Sequence, residues 1–325
     1  MKHTLALSAL LLALPAMVHA AEWVRTNQPH WGLRDGLQFA LYPAGFDGKE
    51  SGPRGIIRVG APVLPDSGQT LVNFIAVEPV VKGKKSFSEL EWSQLDSTQG
   101  KRFWADEPQQ SSPAPGVEQL DVPVNIEAFA NGARIRLIVS QRSDTASELR
   151  FTVHTQPGSA QIEMCILTAT MGNWVRARQL WLLDEVLNSL KLWPDFQGSG
   201  FTPHTVRPLE RLARTAGGDV ITAIRGDEPN PASVFPFPGS RRWYYPGAPV
   251  TQFWKVPKTA VSSDLCVAVN GRTTYWQSGQ PIPGGVAFEN FELRTRFREG
   301  QQFIFGVTRR QPLELGIINK NQPQK

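Results

Sequence analysis

Apolar and polar residues alternate with a period of two along most of the chain after residue 20. In the stretch 148–155, for example, Leu149, Phe151 and Val153 are apolar and the residues between them are polar. This alternation is typical of a strand with one buried face, and Gly, Pro and Asn residues separate successive stretches. The pattern predicts strands at 37–42, 71–81, 134–140, 148–155, 161–169, 219–225, 265–269, 273–276, 291–298 and 302–308.

So many short strands with so little helix predict an all-β fold. We expect an antiparallel β-sandwich or jelly-roll, with the possibility of one large sandwich. One stretch, 174–193, competes with this prediction because it lacks Gly and Pro and carries leucines at roughly helical spacing. It favours a helix slightly, and the alternative is two strands with a turn at Asp184 and Glu185.

The stretch 106–116 is rich in Pro, Ser, Gln and Gly and has the composition of a solvated loop or linker. It predicts an N-terminal β region at 21–105 and a C-terminal sandwich region at 117–325. The two regions can also form one domain, because about 300 residues are enough for either arrangement.

The first 20 residues have the pattern of a cleaved export signal. Lys2 supplies a positive start, an apolar run covers residues 5–14, and small residues surround a predicted cleavage site between Ala20 and Ala21. The apolar run breaks at Pro15, well short of the roughly 20 residues that a membrane-spanning helix needs. We therefore expect a periplasmic or extracellular protein that does not span the membrane.

Composition narrows the class of ligand. The formal net charge of +5 is mild, and the basic residues lie singly along strands rather than in a cluster, so we expect no nucleic-acid partner. No phosphate-binding loop or dinucleotide motif is present in the sequence, and no cofactor is predicted. Cys165 and Cys266 lack the spacing of a zinc site, so no metal is predicted; the two form either a disulfide or two buried thiols.

After Gly284 and Gly285, the apolar residues of the predicted strand change from even-numbered to odd-numbered positions. Val286 and Phe288 are apolar at even positions, whereas the apolar residues from 291 onward lie at odd positions. Within one strand, such a change implies an extra residue, a β-bulge, at Glu289 and Asn290. Bulges occur beside active sites, so this polar pair is a candidate site, although the bulge can equally be a simple correction of the sheet.

Aromatic and basic residues occur together in the turn-rich stretch 236–247. Trp and Tyr rings suit both sugar stacking and core packing, and Arg groups suit the recognition of carboxylates. Arg294, on a polar strand face after the bulge, has the same capacity. The predicted substrate-binding residues are therefore Arg241, Arg242, Trp243, Asn290 and Arg294.

The candidate acid–base residues are Glu289, Asp227, Tyr244 and His204. Two carboxylates are what a glycosidase commonly needs, whereas a polysaccharide lyase uses a Tyr or His base beside an Arg. Export, a β-rich fold and aromatic loops predict an exported carbohydrate-related protein that binds a polysaccharide or oligosaccharide. We expect a hydrolase or lyase that acts at a C-terminal cleft, and the alternative is a non-catalytic binding or structural module.

Overall fold

The computed structural model of the chain describes residues 21–46, 54–63, 68–95, 102–170, 176–227, 250–274 and 281–317. The strands are β1 (His30–Gly32), β2 (Gln38–Ala40), β3 (Ile57–Ala61), β4 (Thr70–Val81), β5 (Lys84–Lys85), β6 (Phe103–Ala105), β7 (Gln109–Ala114), β8 (Val117–Ile126), β9 (Ile135–Arg142), β10 (Glu148–Thr155), β11 (Met164–Thr170), β12 (Ala177–Trp181), β13 (Val186–Asn188), β14 (Thr205–Pro208), β15 (Ala213–Arg214), β16 (Val220–Gly226), β17 (Thr251–Val256), β18 (Cys266–Arg272), β19 (Ala287–Arg294) and β20 (Gln301–Thr308). The helical pieces are the α-helix α1 (Ser189–Leu192) and the 3-10 turns Ser143–Thr145, Leu209–Arg211, Lys258–Ala260 and Pro312–Leu315.

These strands form two large sheets. Sheet I has the order β1-β2-β3-β4-β11-β19-β18-β14, with β5 paired to β4. Sheet II has the order β13-β12-β16-β17-β20-β10-β9-β8-β6, with β15 paired to β16 and β7 to β8. The described pairings are all antiparallel. The predicted all-β sandwich is thereby confirmed.

The core lies between the two sheets, and hydrogen bonds between polar groups join the sheets across it. Phe151 and Trp254 of sheet II are buried, and the Trp254 indole donates to the carbonyl oxygen of Phe291 in sheet I over 2.8 Å. A second link joins the Asn73 amide of β4 to Oε1 of Gln252 in β17, also at 2.8 Å. The odd-numbered residues of β4, and those of β19 from Phe291 onward, therefore face sheet II, and the even-numbered residues between them face the opposite side.

The prediction of a helix at 174–193 is wrong. Residues 176–193 contain β12, a turn and β13, and only the four residues of α1 are α-helical. The predicted alternative, two strands with a turn near Asp184 and Glu185, is what forms. Leucine is a good helix former, but helix propensity is only a weak preference. In the folded protein β12 pairs with β16, and this pairing outweighs the propensity.

The predicted linker at 106–116 contains strand β7, which forms a hairpin with β8. Strands from 21–105 and from 117–325 pair with each other in both sheets, since β4 pairs with β11 and β6 pairs with β8. The division of the chain into domains stays a prediction.

Most predicted strands coincide with observed ones to within a few residues. Two differ: the strand predicted at 291–298 ends at Arg294, and Thr273 and Thr274 of the strand predicted at 273–276 lie outside the named strands. The export signal at 1–20 lies outside the described residues. Within the described ranges, every helix is too short or too polar to cross a bilayer.

Cys165 and Cys266 are both free thiols. They lie on β11 and β18, with β19 between them. Cys165 faces the core, and burial raises the pKa of its thiol. Cys266 lies directly opposite Arg294, on the other face of the sheet. Of the two alternatives that the sequence left open, a disulfide or two buried thiols, the structure has two free thiols, of which Cys165 is buried and Cys266 is partly exposed.

Candidate functional site

The face of sheet I that points away from sheet II carries a polar patch. Alternation along β11 and β19 puts Thr168, Thr170, Asn290 and Glu292 on this face, and the register places Thr168 opposite Glu292 and Thr170 opposite Asn290. The next strand adds Asn270, which pairs with Asn290. Polar groups far apart in the sequence thus converge because antiparallel pairing aligns the same parity across neighbouring strands.

A cavity of about 470 Å³ lies over this patch. Loops on either side close it: the segment after β5 contributes Phe87, Glu89 and Leu90, and the segment before β14 contributes Phe201 and His204. The volume falls in the range of sites for small molecules. The full lining consists of Ile56, Phe74, Ala76, Glu78, Lys85, Phe87, Glu89, Leu90, Thr170, Phe201, Thr202, His204, Asn270, Glu289, Asn290 and Glu292.

A β-bulge in β19 shapes the floor of the cavity. Asn270 pairs with Asn290, but the next residue, Gly271, pairs with Phe288, so Glu289 is the extra residue. The predicted bulge is confirmed. Its effect is that Glu289 and Asn290, adjacent in sequence, both line the cavity, which a regular strand would not allow. The Glu289 side chain is fully buried.

Glu292 is held in place by three partners. Its Oε2 accepts from Thr168 Oγ1 over 2.6 Å, and its Oε1 accepts from Arg294 Nε over 2.7 Å. His204 Nε2 lies 3.5 Å from the same Oε1. Charge-assisted bonds of this kind orient a carboxylate firmly, and the His204 ring lies beside this carboxylate at the edge of the cavity.

The pKa of His204 is lowered from its usual value. Burial is the main cause, the charges of Arg294 and Lys85 act in the same direction, and the negative charge of Glu292 opposes them. The imidazole is therefore neutral at neutral pH, a state in which one ring nitrogen can accept a proton.

On the other side of the cavity, the pKa of Glu89 is raised, whereas that of His204 is lowered. Its carboxyl group is partly buried, and the loss of solvation, reinforced by the negative charge of Glu78, raises its pKa from 4.5 to about 7. Glu78 itself is buried beside Lys85, with Nζ and Oε2 2.5 Å apart. Burial and the charge of Glu292 also raise the pKa of Glu78, while Lys85 opposes this change. The cavity thus holds a carboxyl group that keeps its proton close to neutral pH.

Two buried oxygen atoms in the cavity wall have no hydrogen-bond partner within the described ranges. They are Oε2 of Glu89 and Oδ1 of Asn270. A buried polar atom without a partner costs about 1–3 kcal/mol, so such atoms mark a place where a ligand can supply the missing bonds.

The structure brings together only some of the predicted site residues. His204, Glu289 and Asn290 line the cavity, and Arg294 bonds to Glu292. Asp227 lies in a different place, after β16 of sheet II. There it accepts from Asn188 Nδ2 over 3.0 Å and pairs with Arg178 at 3.4 Å. Arg241, Arg242, Trp243 and Tyr244 lie outside the described residues.

Sequence reasoning missed the residues that the N-terminal half contributes, above all Glu78, Lys85 and Glu89. One signal was available, because Glu78 is the only charged residue in the largely apolar stretch 71–81. A charge in such a strand is rarely left without a partner or a function. The cavity is therefore built by both halves of the chain and not by the C-terminal half alone.

No cluster of His, Cys, Asp and Glu that could hold a metal ion is found in the described part of the chain.

No family model matches the chain, and no curated protein matches it. Among solved structures, the galactosidase domain of an alpha-galactosidase-sucrose kinase is 8% identical with a TM-score of 0.39, and the match covers 88% of this chain and 41% of that one. A candidate aldose 1-epimerase from Klebsiella pneumoniae is 12% identical with a TM-score of 0.35, over 90% of this chain and 81% of that one. The chain thus spans less than half the length of the first. Both proteins are named for sugar chemistry, but these similarities are too distant to indicate a function.

Proposed function

We propose that this protein is an exported carbohydrate-active enzyme that hydrolyses a neutral glycoside in the cavity of sheet I. One observation carries the proposal: a carboxyl group with a pKa of about 7, Glu89, lines the same cavity as a neutral histidine, His204, that lies 3.5 Å from the buried carboxylate of Glu292. A proton donor and a proton acceptor tuned in opposite directions are the arrangement that general acid–base catalysis requires.

Each group has a defined part in the proposed reaction. Glu89 gives its proton to the oxygen of the departing sugar as the glycosidic bond breaks. His204, positioned by Glu292, takes a proton from the water that attacks the anomeric carbon. The products are two sugars with free hydroxyl groups, and solvent exchange returns one proton to Glu89 and removes one from His204.

The charge of the cavity favours a neutral substrate. Four glutamates line it, and the cations nearby are already engaged, Lys85 by Glu78 and Arg294 by Glu292. A lyase acting on uronates needs a cation that neutralises the substrate carboxylate. Hydrolysis of a neutral glycoside therefore fits the site better than the lyase reaction that the sequence also allowed.

The walls of the cavity suit a sugar ring. Phe74, Phe87 and Phe201 offer apolar surface to the C–H face of a ring, while the unpartnered oxygens of Glu89 and Asn270 can bond to its hydroxyl groups. The signal predicted at 1–20 supports a place outside the cytoplasm, where polymeric carbohydrates occur. N-terminal sequencing of the exported protein should find Ala21 as the first residue.

The proposal is tested by a neutral glycan array followed by measurement of reducing sugar released from the glycans that bind. Glu89→Gln and His204→Asn should keep binding but lower turnover by roughly 10²–10⁴-fold. His154→Asn is a matched control, since its side chain is 38% exposed against 36% for His204 and it also pairs with a glutamate, Glu299.

Turnover unchanged in both cavity variants would contradict the assigned roles. Binding by the wild-type protein without any turnover would support the alternative, a non-catalytic carbohydrate-binding module.

A further inference from the structure

Apolar side chains continue from the inside of the cavity onto the surface around its mouth. Leu90 and Phe201 line the cavity, yet they are 63% and 49% exposed. Farther along the same loop as Leu90, Trp92 is 73% exposed and Leu95 is 74% exposed. We call these four side chains the apolar rim. Leu90 and Phe201 thus extend the cavity wall to the surface, and Trp92 follows two residues after Leu90, so exposed apolar surface at this place marks a site for a ligand larger than the cavity.

The loop that carries Leu90, Trp92 and Leu95 is anchored by buried charges. The guanidinium of Arg102, which is 2% exposed, donates to the backbone oxygen of Trp92 over 3.4 Å. Oε1 of the buried Glu127 accepts from the backbone N–H of Leu95 over 3.1 Å. These partners hold the backbone of the loop, and the Trp92 side chain that it carries is exposed to solvent.

On the facing loop, Phe201 is anchored in a similar way. The guanidinium carbon of Arg272 lies 5.1 Å from the centroid of the Phe201 ring. Arg272 also donates to the backbone oxygen of Ser199 over 3.3 Å, and Thr273 Oγ1 donates to that of Gly198 over 2.8 Å. A cation over one face of the ring fixes its orientation relative to the cavity.

We propose that the apolar rim binds further sugar units of the chain whose reacting unit occupies the cavity, so that the substrate is an oligosaccharide or polysaccharide. This inference rests on the function proposed above. A ligand that extends out of the cavity can pack on Leu90 and Phe201, since both side chains line the cavity and reach the surface. Sugar rings have apolar C–H faces that pack on indole and phenyl rings, and anchored rings lose little conformational entropy on binding.

The test uses the neutral glycan that binds most tightly on the array, as a homologous series of one to five units, with affinities measured by calorimetry. For the wild-type protein, Kd should fall as the chain lengthens. Trp92→Ala should weaken the longer members roughly 2- to 10-fold, the range expected for one lost aromatic contact, and leave the single sugar unchanged. Trp92→Phe should restore most of the loss because it keeps an aromatic face.

Leu313→Ala is the matched control, since Leu313 is also an exposed apolar residue, at 49%, but does not line the cavity. It should change no affinity. A wild-type protein that binds one unit and five units equally, or a Trp92→Ala variant that weakens all lengths alike or none, would overturn the role of the rim but not the proposed function. Absence of wild-type binding to every neutral glycan would overturn the proposed function itself.

Discussion

Glu89 should make the protein less stable as the pH rises, and Glu89→Gln should remove this effect. The pKa of the carboxyl group is about 7 in the folded protein and 4.5 ordinarily. Between these values the folded state holds a proton that the unfolded state has released. The free energy of unfolding therefore contains a contribution that is complete below pH 4.5 and is lost as the pH rises through 7.

The size of the effect follows from the two pKa values. A difference of about 2.5 pH units, at about 1.4 kcal/mol per unit, corresponds to about 3–4 kcal/mol. The neutral amide of Gln does not titrate and has nearly the same shape. Around pH 8, Glu89→Gln should thus be more stable than the wild-type protein by up to about 3–4 kcal/mol, while near pH 4.5 the two should be nearly equal.

Urea unfolding of both proteins from pH 4.5 to 8.5 measures this difference directly. Other groups titrate in the same range, Glu78 among them, but they are present in both proteins, so the difference isolates Glu89. Glu210→Gln, at an exposed position, should follow the wild-type curve. Parallel curves for Glu89→Gln and the wild-type protein would show that Glu89 titrates like an exposed carboxylate, and its role as proton donor would then lose its physical basis.

Three further outcomes follow from the structure. Replacing Glu78 with Gln removes a negative charge that raises the pKa of Glu89, so the alkaline limb of the profile of kcat/KM against pH should move to lower pH; an unmoved limb would contradict this coupling. In Gly271→Ala, the new Cβ would lie 2.6 Å from a backbone oxygen of β19, and the variant should lose about 1–3 kcal/mol in urea unfolding, whereas a neutral effect would mean that the bulge can shift freely. Because Cys165 and Cys266 are both free thiols, dithiothreitol should leave the Tm unchanged; a drop would reveal a disulfide.

Much of the fold could be predicted from local pattern. Alternation predicted both ends of the strand 148–155 correctly, because a half-buried strand needs every second side chain to be apolar. The change of parity near Glu289 located the bulge for the same reason. At 174–193 the local pattern was weaker than the pairing available in the folded sheet, and the prediction of a helix failed.

The sequence by itself determined the class of fold, most strand positions, the bulge and three residues of the cavity wall, His204, Glu289 and Asn290, since each of these leaves a signal within a short stretch of chain. Only the tertiary structure decided that Glu78 and Glu89 join them and that Asp227 lies elsewhere, just after β16 of the other sheet. The physical reason is that strand order and register bring residues more than 200 positions apart onto one face of one sheet. The pKa of Glu89 depends on the same assembly, because burial and the neighbouring charge that raise it exist only once the loop after β5 covers the sheet.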